Sequence, residues 1–316
     1  MNQYSPHGNR YHCDMTEEQL EAFLTVAELR SVTRAAERLN VAQPTISDRL
    51  RALEREWRLP VLRRRGRGVE LTEAGLAALP AIRRARAALL AGRDAARGAA
   101  TGVHGRLRLA TTVTAGALFA APAIARFQAS NPDVEVRVRS VHTDDALGAL
   151  LDDEADLAIT SGPLLHARIE RLHRARHPLA LVAAKGHPLA KKRTVTPAAL
   201  RTTTLYLSAW GPAYRRFVAD LEAGAPTPPR WTEASPVELV KGLVAAGAGL
   251  AVIPEAAARR ELDDGRFVSL AIEKTPLPLW SVDLSRRRGT PPSPAEVAFV
   301  RELSRALGGP SDAGRP

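Results

Sequence analysis

Residues 42–54 read AQPTISDRLRALE, a run that scans as helix although a proline stands near its start. Proline has no N–H and a φ fixed near the helical value, so it fits the first turn of a helix and disrupts later ones. Pro44 therefore marks a beginning. Behind it Ile46, Leu50 and Leu53 recur at i, i+4 and i+7, the spacing of one buried helix face. Thr45, Ser47, Asp48 and Arg49 make the other face short, polar and rich in hydrogen-bonding groups. Upstream, Ser31 suits the N-cap of a helix over 32–39, where Ala35 and Ala36 let a second helix approach closely. Asn40 tolerates the left-handed conformation that ends a helix. The stretch is helix, short turn, helix. Taken alone it suits an ordinary αα-hairpin in a core equally well.

The flanking sequence narrows that choice. Leu59, Pro60, Val61 and Leu62 read as a short extended segment, followed by RRRGRGVELTEAG at 63–75. Arg63, Arg64, Arg65 and Arg67 surround Gly66 and Gly68, after which Val69 and Leu71 alternate as in a strand. Glycines that let backbone approach phosphate, beside guanidiniums that neutralise it, are what a DNA-binding wing needs. A solvated charged loop has the same composition. The wing is preferred because it follows a helix-turn-helix at the right distance. Before the hairpin, Thr16 and its glutamates open a helix to Leu29 with Leu20, Phe23, Leu24 and Ala27 as the buried stripe.

Across 316 residues there are 45 Lys+Arg against 34 Asp+Glu, a formal charge of +11. This length accommodates two or three domains with their own cores. The positive surplus points to a polyanionic partner, nucleic acid or an anionic membrane surface. No run of about 18 apolar residues is present to span a bilayer. The first fourteen residues, MNQYSPHGNRYHCD, lack the apolar stretch of a signal peptide and read as a disordered tail at 1–14, so the cytoplasm is the expected compartment. Met15 is an alternative start. Cys13, the single cysteine, excludes an internal disulfide.

Thr72 caps a long helix, 72–98, with an apolar seam of Leu76, Leu79, Ile82, Ala85 and Leu89. Such a narrow seam between charged flanks commonly pairs with its own copy. Pro80 is expected to kink the helix or leave one carbonyl unpaired, and the Gly/Ala/Thr stretch at 98–105 reads as a linker. Beyond it strands over 106–110, 134–141 and 156–160 alternate with helices over 115–128 and 144–151, an order that argues for a parallel sheet faced by helices. A similar succession begins near 179–184, continues through 203–207 and ends with a helix over 237–246 and a strand over 250–253. Two α/β halves with a ligand cleft between them is the natural architecture.

At this point the residues resemble a family. SVTRAAERLNVAQPTISDRLRALE and LPVLRRRGRGVELTEAG, within Leu20 to Gly75, closely resemble the winged helix-turn-helix of LysR-type bacterial transcriptional regulators. GRLRLATT, PAIARFQASNPDVEV, DDEADLAI, GHPLA and VAAGAGLAVIP resemble landmarks of that family's effector-binding domain, so the resemblance runs from Met15 to about Leu307. It implies an α/β protein with three parts. These are a winged helix-turn-helix at 15–72, a linker and dimerisation helix with a hinge at 73–104, and a two-lobed effector-binding domain at 105–310 resembling periplasmic binding proteins. Lobe 1 is then about 105–175 and 273–310, and lobe 2 about 176–272. The implied function is regulated, sequence-specific binding to double-stranded promoter DNA by a dimer or tetramer. A small-molecule effector in the cleft changes those contacts, and RNA polymerase is a candidate contact. No catalysis, metal or cofactor is implied.

Carried over residue by residue, the resemblance makes Gln43, Pro44, Ser47 and Asp48 base-proximal, with Thr45 and Arg49 nearby, and Arg34, Arg64 and Arg67 phosphate contacts. Gln pairing bidentately with adenine agrees with this. Asp48 departs from the family's usual basic or amide side chain. It can accept from cytosine N4 or repel phosphate. Trp57-Arg58 stands where Leu-Gly is usual, which removes a glycine C-cap and leaves a longer helix or an altered angle into the wing as the expected outcomes. Val61-Leu62 replaces Leu-Phe, a milder change. For the effector the family pattern nominates Thr111, Thr112, Thr114, Thr160, Ser161 and Ser208. Hydroxyls and N–H groups at strand ends and helix starts suit a carboxylate or other small anion, although threonine at a strand end also serves simply as a helix cap. Trp210, beside Gly211-Pro212, either covers a planar ligand or anchors its lobe.

Other classes fit less of the chain. No nucleophile elbow, zinc-spaced His/Cys set, P-loop or dinucleotide fingerprint is present, and the glycines of AAGAGLA precede a strand rather than follow one. His166, His173, His177 and His187 lack ligand spacing and read as surface residues. A solute-binding protein requires export. A small-molecule-binding protein without regulated promoter recognition leaves the basic N-terminal part unused, and a non-specific DNA-binding protein leaves the α/β lobes unused.

Overall fold

The computed structural model describes residues 15–66, 68–101, 103–223 and 230–308; the tail with Cys13, and Arg67, lie outside the described residues. The chain divides into two compact units, Met1–Arg93 and Asp94–Pro316.

In the first unit, α1 (Glu17–Leu29) opens on a capping box in which the Thr16 hydroxyl accepts from Gln19 N–H and the Gln19 side chain accepts from Thr16 N–H at 2.8 Å. Helix α2 (Val32–Leu39) is capped by Ser31 and ends at Asn40, φ +53°. Helix α3 (Gln43–Trp57) carries Pro44 in its first turn and turns Ile46, Leu50 and Leu53 into a core shared with Leu20, Phe23, Val26 and Ala35. Strands β1 (Leu62–Arg65) and β2 (Gly68–Leu71) pair antiparallel, with Arg63 opposite Glu70 and Arg64 opposite Val69.

The missing glycine after α3 does not lengthen the helix. Arg58 itself takes the left-handed conformation, φ +55°, and its N–H reaches the Arg55 and Glu54 carbonyls. A side chain in that conformation costs about 1–2 kcal/mol. The Glu54 carboxylate then accepts from the backbone N–H groups of Val61 (2.9 Å) and Leu62 (3.2 Å), which ties the chain into β1. Close approaches hold the wing. Val69 N–H donates to the Arg30 carbonyl at 3.1 Å, and a Cβ on Gly68 would stand 2.7 Å from that oxygen. Thr72 donates from its hydroxyl to the Pro60 carbonyl at 2.7 Å and accepts from Gly75 N–H at 3.1 Å, while a Cβ on Gly75 would lie 2.2 Å from the Val61 carbonyl oxygen.

Helix α4 (Glu73–Thr101) keeps Pro80 in its interior and runs over the first half of the stretch read as a linker, in keeping with the high helix propensity of its alanines. Its seam divides: Ile82 is buried and Leu79 and Ala85 pack on the core of the unit, whereas Leu76 and Leu89 are more than half exposed, 58% and 51%.

The second unit follows the chain as β3 (Gly105–Thr111), α5 (Val113–Ala115) leading through a π turn at Gly116–Ala120 into α6 (Ala121–Ser130), β4 (Val134–Ser140), α7 (Thr143–Leu151) and β5 (Leu157–Ser161). A long strand, β6 (Ile169–Ala184), leaves this lobe. The next elements are β7 (Thr194–Val195), α8 (Pro197–Leu200), β8 (Thr204–Leu207), α9 (Pro212–Ala223), β9 (Arg230–Glu233), α10 (Val237–Ala245), β10 (Leu250–Pro254), α11 (Glu255–Asp263) and β11 (Phe267–Ile272). The chain returns with β12 (Leu279–Arg287) and α12 (Pro294–Leu307).

The expectation of a parallel sheet holds only in part. Strands β4, β3 and β5 are parallel, as are β10, β8 and β9, but β12 and β6 join the lobes by antiparallel pairing. Residues 169–178 of β6 pair with β12, and from Leu179 onward the same strand pairs with β10 and β11. One continuous strand thus crosses from lobe to lobe between Pro178 and Leu179. Beside the crossing, Asp283 is fully buried and accepts two hydrogen bonds from the Arg174 guanidinium, at 2.7 and 2.6 Å.

Candidate DNA interface and effector cleft

On the exposed side of the helix-turn-helix, Gln43 and Pro44 stand in the open, and the Thr33 hydroxyl on α2 donates to Gln43 Oε1 at 3.4 Å. That bond engages the amide oxygen of Gln43 and not its NH2 group. Sequence patterning missed this contact, because the two residues lie ten positions apart across the turn. Thr45 is half-buried. The Ser47 hydroxyl donates back to the Gln43 carbonyl at 3.3 Å, a bond within the helix. Asp48 is exposed and paired with Arg51 at 3.0 Å, so its charge is partly neutralised one turn away. Arg49 is half-buried and lies within electrostatic reach of Glu18 on α1. Glu18 there is held below the usual carboxylate range, first by backbone hydrogen bonding, then by Thr16, with the Arg49 charge a smaller contribution. Arg34 and Arg64 are exposed and have no ion-pair partner among the described residues. Arg63 and Arg65 both bind Glu70, whose carboxyl is held low chiefly by the Arg65 hydrogen bond.

Between the lobes of the second unit lies a cleft of ≈ 340 Å³. Helix starts converge on it: Thr112 to Thr114 at α5, His142 to Asp144 at α7, Gly211 and Pro212 at α9, and Ser235 to Val237 at α10. The α5, α7 and α10 starts have no side-chain cap, so their first N–H groups remain without an intrahelical or capping partner. Together with the helix dipoles, this makes the cleft receptive to an anion. The Arg215 guanidinium also lines it and has no partner among the described residues. Nothing in the sequence pattern singled out Arg215 or His142, since both depend on where a helix begins.

Of the six nominated hydroxyl residues, Thr112, Thr114 and Ser161 line the cleft. The other three do not: Thr111 and Thr160 are buried, and all three hydroxyls bond locally, Thr111 to the Thr112 carbonyl (3.1 Å), Thr160 to the Gly162 carbonyl (2.8 Å) and Ser208 to the Ala234 carbonyl (2.7 Å). Trp210 anchors its lobe and also lines the cleft. It is 4% exposed, donates from Nε1 to the Val252 carbonyl at 2.8 Å, and still lines the cleft. Gly211 and Gly162, at φ +93° and +100°, bring the lobes into backbone contact: a Cβ on Gly211 would stand 3.2 Å from the Ser161 carbonyl oxygen.

The histidines are not all surface residues. His173 is 1% exposed, with Nε2 3.1 Å from the Gly308 carbonyl oxygen. His177 stacks on Phe119 at 4.5 Å between ring centroids, and burial, then the neighbouring His173, pushes it below its ordinary value. His187 accepts from Leu189 N–H at the start of a short helical turn. Trp280, fully buried, joins this cluster to the cleft: it packs on His177 and Phe119 (both 5.8 Å) and Trp210 (5.5 Å) and donates to the Ser161 hydroxyl at 3.1 Å. Among the described residues no group of three or more His, Cys, Asp or Glu could hold a metal ion. A second cavity, ≈ 430 Å³, is lined by Arg108, Arg137 and Arg139, all already paired with acids.

A winged helix-turn-helix joined to a two-lobed unit with an anion-receptive cleft defines a ligand-responsive DNA-binding protein. Residues 18–76 match the family described as bacterial regulatory helix-turn-helix protein, lysR family, and residues 100–308 match the LysR substrate binding domain. The HTH-type transcriptional regulator AlsR of Bacillus subtilis is 31% identical over 241 residues, 75% of this chain and 80% of that protein. The RuBisCO operon transcriptional regulator of Allochromatium vinosum is 31% identical over 284 residues, 89% and 93% of the two chains. Full-length CbnR complexed with its target DNA superposes with a TM-score of 0.64 at 26% identity, covering 92% of this chain and 100% of that one. The chain belongs to the LysR family of bacterial transcriptional regulators. It is a sequence-specific DNA-binding regulator with an effector-binding domain, of a family whose members bind promoter DNA and small-molecule effectors and form oligomers. Among the described residues no helix is long and apolar enough to cross a membrane.

Proposed function

We propose that residues 15–72 read DNA, that 73–104 serve as linker and dimerisation helix, and that 105–310 bind a small carboxylate or other small anion between lobes at about 105–175 with 273–310 and about 176–272. Gln43 reads a base, with Pro44, Thr45, Ser47 and Asp48 beside it. Arg34, Arg64 and Arg67 hold phosphate, and Arg49 acts at the edge of that face. Thr112, Thr114 and Ser161 contact the effector, while Thr111, Thr160 and Ser208 shape the strand ends that carry them. The protein works in the cytoplasm without catalytic activity, and RNA polymerase is its candidate contact at the promoter. The observation that carries this reading is the division of α3: Ile46 and Leu53 are fully buried, while Gln43, Pro44 and Asp48 stand exposed on the opposite side.

The test separates base from phosphate contacts. A duplex enriched from a random library by the wild-type protein is compared with random-sequence duplex. Gln43→Ala should weaken binding to the enriched duplex by about 1–3 kcal/mol and leave random DNA nearly unchanged, whereas Arg64→Ala should weaken both alike. Undiminished discrimination by Gln43→Ala would show that α3 does not read bases through this side chain.

A further inference from the structure

We propose that Glu70 is a specificity-determining residue of the wing, an internal substitute for phosphate that keeps Arg63 and Arg65 from gripping DNA indiscriminately. The proposal rests on the reading of the wing as a phosphate-binding element. The hairpin RRRGRGVEL carries a single carboxylate, Glu70. Strand alternation divides its consecutive arginines between two faces. Arg64 lies opposite Val69 and projects without an ion-pair partner among the described residues, whereas Arg63 lies directly opposite Glu70 and Arg65 two positions along on the same face. One Glu70 oxygen accepts from Arg63 Nε at 2.7 Å and the other from an Arg65 terminal nitrogen at 2.6 Å, so both oxygens are occupied. The two arginine side chains are otherwise open to solvent, 68% and 75% exposed, while the Glu70 side chain is 21% exposed.

This arrangement has little purpose as a staple. Exposed ion pairs add little to stability, and the wing is already held by the Arg30 carbonyl and the Thr72 hydrogen bonds. Its consequence is for what the arginines can bind. A carboxylate and a phosphate oxygen compete for the same donors by the same charge-assisted hydrogen bonds. While Glu70 holds them, two cations present one net charge to the DNA and must exchange partners before they add a phosphate contact. Phosphate contacts supply nearly all non-specific affinity. Restraining them therefore raises the ratio of specific to non-specific binding, the quantity that matters against a genome of competing sites.

The full-length protein and its Glu70→Gln, Arg64→Ala and Glu70→Gln/Arg63→Ala/Arg65→Ala variants are titrated with random-sequence duplex and with the enriched duplex over a range of NaCl concentrations. Glu70→Gln should bind random DNA roughly three- to tenfold more tightly at low salt, with a salt slope steeper by about one. Its preference for the enriched duplex should fall by a similar factor, and the added arginine substitutions should abolish the gain. A merely structural Glu70 would move in the opposite direction, since a loosened wing binds less. If Arg64→Ala weakens binding but Glu70→Gln leaves affinity and slope unchanged or lower, the wing reading stands and the Glu70 proposal is overturned. If Arg64→Ala changes neither duplex, the wing reading itself fails and the proposal with it.

Discussion

Replacing Trp280 with alanine should destabilise the effector-binding unit by about 3–5 kcal/mol, the usual cost of deleting a fully buried large aromatic side chain. Trp280 has no exposed surface and stands at the start of β12, where that strand meets β6 beside the lobe crossing. Its loss removes the ring contacts to Phe119, His177 and Trp210 together. It also leaves the Ser161 hydroxyl, on the cleft wall, without its indole donor. The effect is read from denaturant unfolding of this unit, followed by near-ultraviolet circular dichroism so that the other unit's transition is resolved. Trp280→Phe should recover most of the loss, because it keeps ring packing and removes only the N–H. A cost below about 1 kcal/mol for the alanine variant would mean that the cluster does not organise the cleft, given what core truncations ordinarily cost.

The second large effect belongs to the DNA-binding unit. Gly75→Ala should cost about 3 kcal/mol and abolish DNA binding while leaving the effector-binding unit intact. The added methyl would sit 2.2 Å from the Val61 carbonyl oxygen, a backbone atom that cannot rotate away. Either the start of α4 or the entry to the wing must shift, and overpacking of this kind lies at the upper end of its usual range. Thr72 gives a graded comparison: Thr72→Ala loses the hydrogen bonds to Pro60 and Gly75 without a clash and should be milder, by about 1 kcal/mol. Retention of wild-type DNA affinity and stability by Gly75→Ala would show that contact between wing and helix is dispensable.

Much of the DNA-binding unit was legible because its signals are local. Pro44, Ser31, Asn40 and the i, i+4, i+7 spacing of Ile46, Leu50 and Leu53 each fix backbone within a turn or two, and the structure places α2 and α3 where they point. The long-range ties were not legible. Glu54 reaching the Val61 and Leu62 N–H groups, and Arg58 standing in for a glycine, depend on how the hairpin folds back. In the second unit the parallel portions followed from alternation of strands and helices. The crossing strand did not, since in the charged run at 168–176 the buried members are Ile169, His173 and Ala175, of which only Ile169 is strongly apolar. The cleft was half legible. Hydroxyls at strand ends could be nominated, but whether each faces the ligand or caps its own backbone is decided by single rotations, and Thr112, Thr114 and Ser161 cannot be told from Thr111, Thr160 and Ser208 by residue type. Gly162 and Gly211, whose contact brings the lobes together, gave no pattern at all.

This chain is expected to read DNA sequence rather than DNA charge. Selection of random-sequence duplex by the purified full-length protein at near-physiological salt, followed by sequencing of the bound fraction, tests it most directly. A partly palindromic site should be enriched, as two-fold related α3 helices in successive major grooves require, and should be retained against excess random competitor. Uniform recovery of all sequences, or binding that random competitor removes completely, would contradict it.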